Sequence, residues 1–169
     1  MSNIRDIRLK DEGHQRIAWV ARHMPVLNAV GERFAKERPF AGRRIALSIH
    51  LEAKTAYLVR TLVRGGAELF VTGSNRLSTQ DAVCAALVDD GITVNAIHGA
   101  SEEDTVALWK ETLSCRPDIV IDDGADLVNL LLGDCAAYAG RVLGGCEETT
   151  SGVQRPVSYT HLRAHETKA

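Results

Sequence analysis

The groups able to do acid–base chemistry in this sequence fall into four short polar segments. His50 stands with Glu52, Lys54 and Thr55; Ser74 and Asn75 stand with Ser78, Thr79, Gln80 and Asp81; His98 stands apart; and Asp122 and Asp123 precede Gly124 and Asp126. An imidazole titrates near neutral pH, so His50 has the chemistry of a general acid or base. It is also what a half-exposed histidine bonded to backbone looks like. The adjacent carboxylates of Asp122 and Asp123 suit a division of labour, one turned to a cleft and the other capping the helix behind it. Glu52, Lys54 and Thr55 could simply neutralise one another, and the run from Ser78 to Asp81 could be only a helix cap. The combination carries more than any member, because each segment follows an apolar run with the character of a strand.

Those runs define the frame. From Glu12 to Arg38, apolar residues Ile17, Val20, Ala21, Met24, Leu27, Val30 and Phe34 recur three or four apart, one stripe of a long helix that Pro25 must bend or split. The Arg44 to Ile49 run reads as a buried strand, and a helix follows from Ala53 to Arg64, stopped by Gly65 and Gly66. The alternation continues: strand Glu68 to Thr72; a helix to Asp90 capped by Ser78 or Thr79; strand Ile92 to Ile97; a helix capped by Ser101 with Asp104. Strand Asp118 to Ile121 and helix Ala125 to Leu132 complete it. Strands alternating with helices predict right-handed crossovers and a doubly wound, mainly parallel, Rossmann-like α/β sheet, preceded by the long N-terminal helix. Ligands in such sheets bind beyond the carboxyl ends of the strands, where all four polar segments fall.

Composition narrows the partner. With 169 residues, 45% hydrophobic, the chain can bury one core. Its 20 basic and 22 acidic residues are interspersed, which gives no electrostatic footprint for nucleic acid or a membrane surface and points to a small molecule. Cys84, Cys115, Cys135 and Cys146 lack metal or redox spacing and read as free thiols, with no metal expected. No apolar run suits a membrane span or signal peptide, so a cytoplasmic protein is expected.

The segment Ser48 to Ala56 (SIHLEAKTA) resembles the substrate-binding segment of S-adenosyl-L-homocysteine hydrolases. Four further blocks agree in order: Trp19 to Leu27 (WVARHMPVL), Gly73 to Asp81 (GSNRLSTQD), Ile121 to Leu127 (IDDGADL) and Glu147 to Gly152 (EETTSG). The resemblance implies an enzyme of one-carbon metabolism that reversibly cleaves S-adenosylhomocysteine into adenosine and homocysteine. Bound NAD would oxidise the ribose 3′-hydroxyl, acidifying C4′ so that homocysteine can leave. It further implies that His50 and Asp123 belong to the acid–base group, and that Glu148 binds ribose hydroxyls. Thr149, Thr150 and Ser151 would contact NAD, and Glu52, Thr55, Asn75 and Gln80 would line the nucleoside cleft.

Three departures from the family pattern stand out, the Ser151 change the mildest and the missing NAD domain the largest. The His-Leu-Glu-Ala-Lys-Thr form is similar to that of archaeal and thermophilic bacterial members, and Lys54 stands where animal enzymes carry a carboxylate near the base. A cationic donor there would suit the carbonyl of S-inosylhomocysteine, the alternative substrate. Ser151 replaces a third threonine and keeps its hydroxyl. The NAD domain, expected after Gly152, is absent, so residues 1–155 read as a substrate-domain fragment, inactive alone, of an enzyme expected to form homo-oligomers, tetramers by family habit. A nucleoside-binding module without catalysis is the alternative of another class. From Pro156 onward the sequence resembles a translated sequencing adapter, a tail to be set outside the fold. Without a cofactor domain to cover them, Leu130 to Leu132 and Val142 to Leu143 are expected to be exposed or poorly packed.

Overall fold

The computed structural model describes residues 1–157. Most of the expected tail therefore lies outside the described residues, and only its first two, Pro156 and Val157, continue the last helix.

Pro25 splits the N-terminal stripe rather than bending it. Helix α1 covers Lys10–Ala21 and helix α2 covers Pro25–Glu37, with the proline at the helix start, where a missing N–H costs nothing. Strand β1 (Arg44–Ile49) and helix α3 (Ala53–Arg64) fall where the sequence places them. They are followed by β2 (Glu68–Gly73), α4 (Asp81–Asp89), β3 (Thr93–Asn95), α5 (Glu102–Leu113), β4 (Ile119–Asp122) and α6 (Asp126–Leu132). A final strand and helix, β5 (Gly144–Glu147) and α7 (Thr150–Val157), lie beyond the alternation read from the sequence.

Among the described residues the sheet is wholly parallel, in the order β3-β2-β1-β4-β5. Residues along β1 alternate between two cores, as a strand covered on both faces must. Ile45, Leu47 and Ile49 pack with Ile17, Val59, Val83 and Leu87 beneath α1, α3 and α4. Ala46 packs with Leu113, Val120, Leu127 and Leu131 beneath α5 and α6. Helix α1 lies against α4 at Gly13, where a Cβ would collide with the Ala82 carbonyl. The outer side of β3 is lined by the chain's first residues: Asn3 bridges Asn95 in parallel, donating its N–H to Val94 C=O and accepting from Ala96 N–H.

Of the two helix caps expected from the sequence, one is found and the other is not. Ser101 caps α5, its Oγ accepting the Asp104 N–H at 3.0 Å. Neither Ser78 nor Thr79 caps α4, whose N-cap is Gln80 without a side-chain bond. Both hydroxyls instead donate back to the Asn75 carbonyl, closing a tight turn in which Asn75 Oδ1 accepts the Leu77 N–H. Of the apolar residues expected to be uncovered, Leu143 is 68% exposed whereas Leu131 is buried in the second core.

Candidate active site

From β1 the chain winds outward through β2 and β3, then crosses back to β4 on the other side of β1. The crevice between the carboxyl ends of β1 and β4 is therefore the topological switch point, where doubly wound sheets bind ligands. His50 is the first residue after β1 and Asp123 the first after β4. Their side chains face each other, His50 Nε2 standing 3.5 Å from Asp123 Oδ2.

The surrounding bonds fix the imidazole. Ser78 Oγ gives its one proton to the Asn75 carbonyl at 3.1 Å, so at 2.6 Å it accepts from His50 Nδ1. With Nδ1 engaged by Ser78, Nε2 is the ring nitrogen turned to Asp123. Thr55 Oγ1 donates to the His50 carbonyl at 2.6 Å and anchors the backbone there to the first turn of α3. Asp123 accepts from Ser74 Oγ at 2.8 Å. Its side chain is 13% exposed against 52% for His50, so the pair opens to solvent on the imidazole side.

Asp122 and Asp123 divide their work as the sequence suggests. Asp122 is fully buried, its Oδ2 accepting the Val128 N–H at 3.0 Å in the first turn of α6 and its Oδ1 the Asp123 N–H at 3.1 Å. Burial pushes its carboxyl up to about 7, against the lowering effect of those two bonds. His98 is structural, its Nδ1 donating to the Thr79 carbonyl and its N–H to Asp81.

The other expected site residues sit at neighbouring points of the same rim. Glu52 and Lys54 pair with each other at 3.0 Å at the start of α3, the lysine exposed. Gln80 accepts from Arg16 at 3.1 Å and, with Trp19 and Ala53, lines a shallow hollow on the α1 side rather than the crevice between His50 and Asp123. Asn75 shapes the turn that presents Ser78. Beyond β5, the exposed Glu148 donates its N–H to the Asp122 carbonyl, while Thr150 and Ser151 lie exposed in the first turn of α7. The Thr149 hydroxyl is engaged within the chain, donating to Glu147 Oε1 at 2.6 Å and accepting from the Gly152 N–H. Among the described residues, no group of three or more His, Cys, Asp or Glu side chains could hold a metal ion.

Sequence reasoning missed Glu147. Its Oε1 accepts from Gly124 N–H at 2.8 Å and from Thr149 N–H at 2.9 Å in addition to the Thr149 hydroxyl, and Oε2 accepts from Ala125 N–H at 3.0 Å. Burial raises its carboxyl, but these bonds together hold it below the ordinary range. The only signal available was two adjacent glutamates before a hydroxyl-rich helix start.

Four sequence matches bear on this geometry. A family model described as S-adenosyl-L-homocysteine hydrolase matches residues 1–143. The chain is 46% identical over 155 residues to S-inosyl-L-homocysteine hydrolase of Methanococcus maripaludis, covering 92% of this chain and 37% of that protein. It is 46% identical over 152 residues to adenosylhomocysteinase of Pyrococcus abyssi (90% and 36%), and 47% identical over 154 residues to that of Aquifex aeolicus (90% and 37%). The chain thus spans little more than a third of the length of the curated relatives it matches. With the family match running through the His50 and Asp123 segments and the crevice placed where a doubly wound sheet holds its ligand, the chain belongs to the S-adenosyl-L-homocysteine hydrolase family.

Proposed function

We propose that this chain supplies the substrate-facing part of an NAD-dependent hydrolase that reversibly cleaves S-adenosyl-L-homocysteine into adenosine and homocysteine. The activity is proposed for a protein in which residues 1–155 are joined to the remainder that the relatives carry. The observation that carries the reading is the His50–Asp123 pair at 3.5 Å across the switch point. Nδ1, engaged by Ser78, leaves Nε2 to exchange protons with a ribose carbon or its hydroxyls, and Asp123 offsets the charge that the ring gains. The exposed Glu148, whose N–H bonds the Asp122 carbonyl, carries a carboxylate that would accept from ribose hydroxyls, and the exposed Thr150 and Ser151 carry hydroxyls that would suit NAD. NAD, when bound, would supply reversible oxidation at the sugar.

A second reading, S-inosyl-L-homocysteine as the substrate, is favoured by Lys54, an exposed ammonium donor at the start of α3. Calorimetric titration of residues 1–155 with adenosine, inosine and S-adenosylhomocysteine, with and without NAD, tests both. Saturable binding of one nucleoside supports the reading and identifies the purine. Binding to the joined protein without turnover of either thioether identifies instead a nucleoside-binding module.

A further inference from the structure

We infer that Glu147 is the positioning residue for Asp123, its carboxylate tying the β4–α6 loop to the β5–α7 loop so that the two halves of the site move as one. The inference rests on the reading of Asp123 as an acid–base group. The peptides on either side of Asp123 are both held by carboxylates: its own N–H by Asp122 Oδ1, and the next, that of Gly124, by Glu147 Oε1. Gly124 and Ala125 have φ of 90° and 62°, and in that left-handed turn both N–H groups point at Glu147. A non-glycine residue in this region is strained, so Ala125 needs partners to hold it there. The same carboxylate takes the Thr149 N–H and hydroxyl, in the segment that runs from Glu148 to Ser151. A Cβ at Gly152 would collide with Glu147 Oε1, so α7 closes directly over this bracket.

All four partners donate, which is why the residue must be a carboxylate. A glutamine of the same shape would turn its NH2 against either Ala125 or the Gly124 and Thr149 donors. E147Q is therefore the sharp probe: near-isosteric, yet wrong at one oxygen.

The test is made on the 169-residue chain by amide and imidazole NMR of wild type, E147Q and Asp123→Asn, with kinetics of the joined enzyme carrying E147Q. In wild type the Gly124, Ala125 and Thr149 amides should shift together as acidification protonates the carboxylate, below the ordinary glutamate range because its bonds hold it down, and in E147Q they should not. The His50 ring resonances, which sense Asp123 at 3.5 Å, should move in E147Q towards their place in Asp123→Asn. In the joined enzyme kcat should fall by on the order of thirtyfold with KM changed by less than about threefold, the pattern of a lost transition-state contact. Amides that do not titrate together overturn the bracket. His50 resonances unmoved in folded E147Q, or kcat per folded site unchanged, overturn the positioning role. If wild-type joined enzyme turns over neither thioether, the proposed function fails, and the His50 and amide spectra still decide for or against Glu147.

Discussion

Strand β4 carries an aspartate at each end, and the two could hardly be treated more differently. Asp118, just before the strand, is 4% exposed; it accepts the Arg44 N–H at 2.8 Å and an Arg141 N–H at 3.1 Å, and Arg43 stands 3.8 Å away. The Arg44 backbone bond and those guanidinium groups, acting against burial, hold its carboxyl below the ordinary range. Asp123, just past the other end, has one hydroxyl donor and an imidazole held beyond hydrogen-bond length. A carboxylate whose lone pairs are taken by fixed donors is a fastener for the fold. One left with a titrating neighbour and an open side is available for proton transfer. Residue type alone does not separate the two; the number of donors around each does.

The comparison can be broken by exchanging charge for amide at each end. In the joined enzyme Asp123→Asn, like His50→Ala, should lower turnover by on the order of a hundredfold to ten-thousandfold while the unfolding midpoint barely moves. Asp118→Asn should do the reverse, lowering the midpoint and sparing kcat per folded site. Thermal melts beside steady-state kinetics decide, and a large loss of kcat in the Asp118 variant would erase the distinction. A smaller effect sharpens it through pH. Asp122, raised to about 7, binds its proton more tightly folded than unfolded, so its contribution to stability falls as pH rises from about 4 to 7. Asp118, shifted down, contributes stability at neutral pH that is lost as pH falls through its depressed range. Denaturant titrations across pH should show the first slope vanish in Asp122→Asn and the acid-side loss shrink in Asp118→Asn. The smallest change is expected at Lys54. Lys54→Gln should shift the kcat/KM ratio of inosyl to adenosyl thioether by roughly tenfold towards adenosine, since one exposed donor is exchanged.

Much of this was legible in the sequence because two periodicities carry it. The nearly continuous apolar content of β1, broken inside only by Ser48, needs burial on both faces, which points to a parallel sheet, and the order of polar segments then places His50 and Asp123 on one rim. Strand β5 was not legible. Gly144, Gly145 and Cys146 are exposed and lack strand character, so this strand exists through its pairing with β4 rather than through its own side chains. Ser78 and Thr79 were misassigned as caps because a hydroxyl ahead of a helix can equally bond back into its own turn, and here the Asn75 carbonyl lies closer to hand. The coordination of Glu147 is equally invisible in sequence, since the Gly124 and Ala125 donors reach it from the β4–α6 loop only once β4 and β5 have paired, although the Thr149 donors stand two residues away.

The pairing of Asn3 beside β3 has a consequence for the outer side of that strand. An outermost strand offers a row of N–H and C=O groups to any passing chain, and proteins commonly blunt such rows with charge, proline or a covering segment. Here the covering segment is the amino terminus itself, with Ser2 Oγ accepting the Val94 N–H at 3.1 Å and Asn3 clasping Asn95 through both backbone and amide. Ser2 and Asn3 thus occupy backbone groups of β3 that would otherwise be offered to another chain, so substitutions at these two positions should uncover that edge.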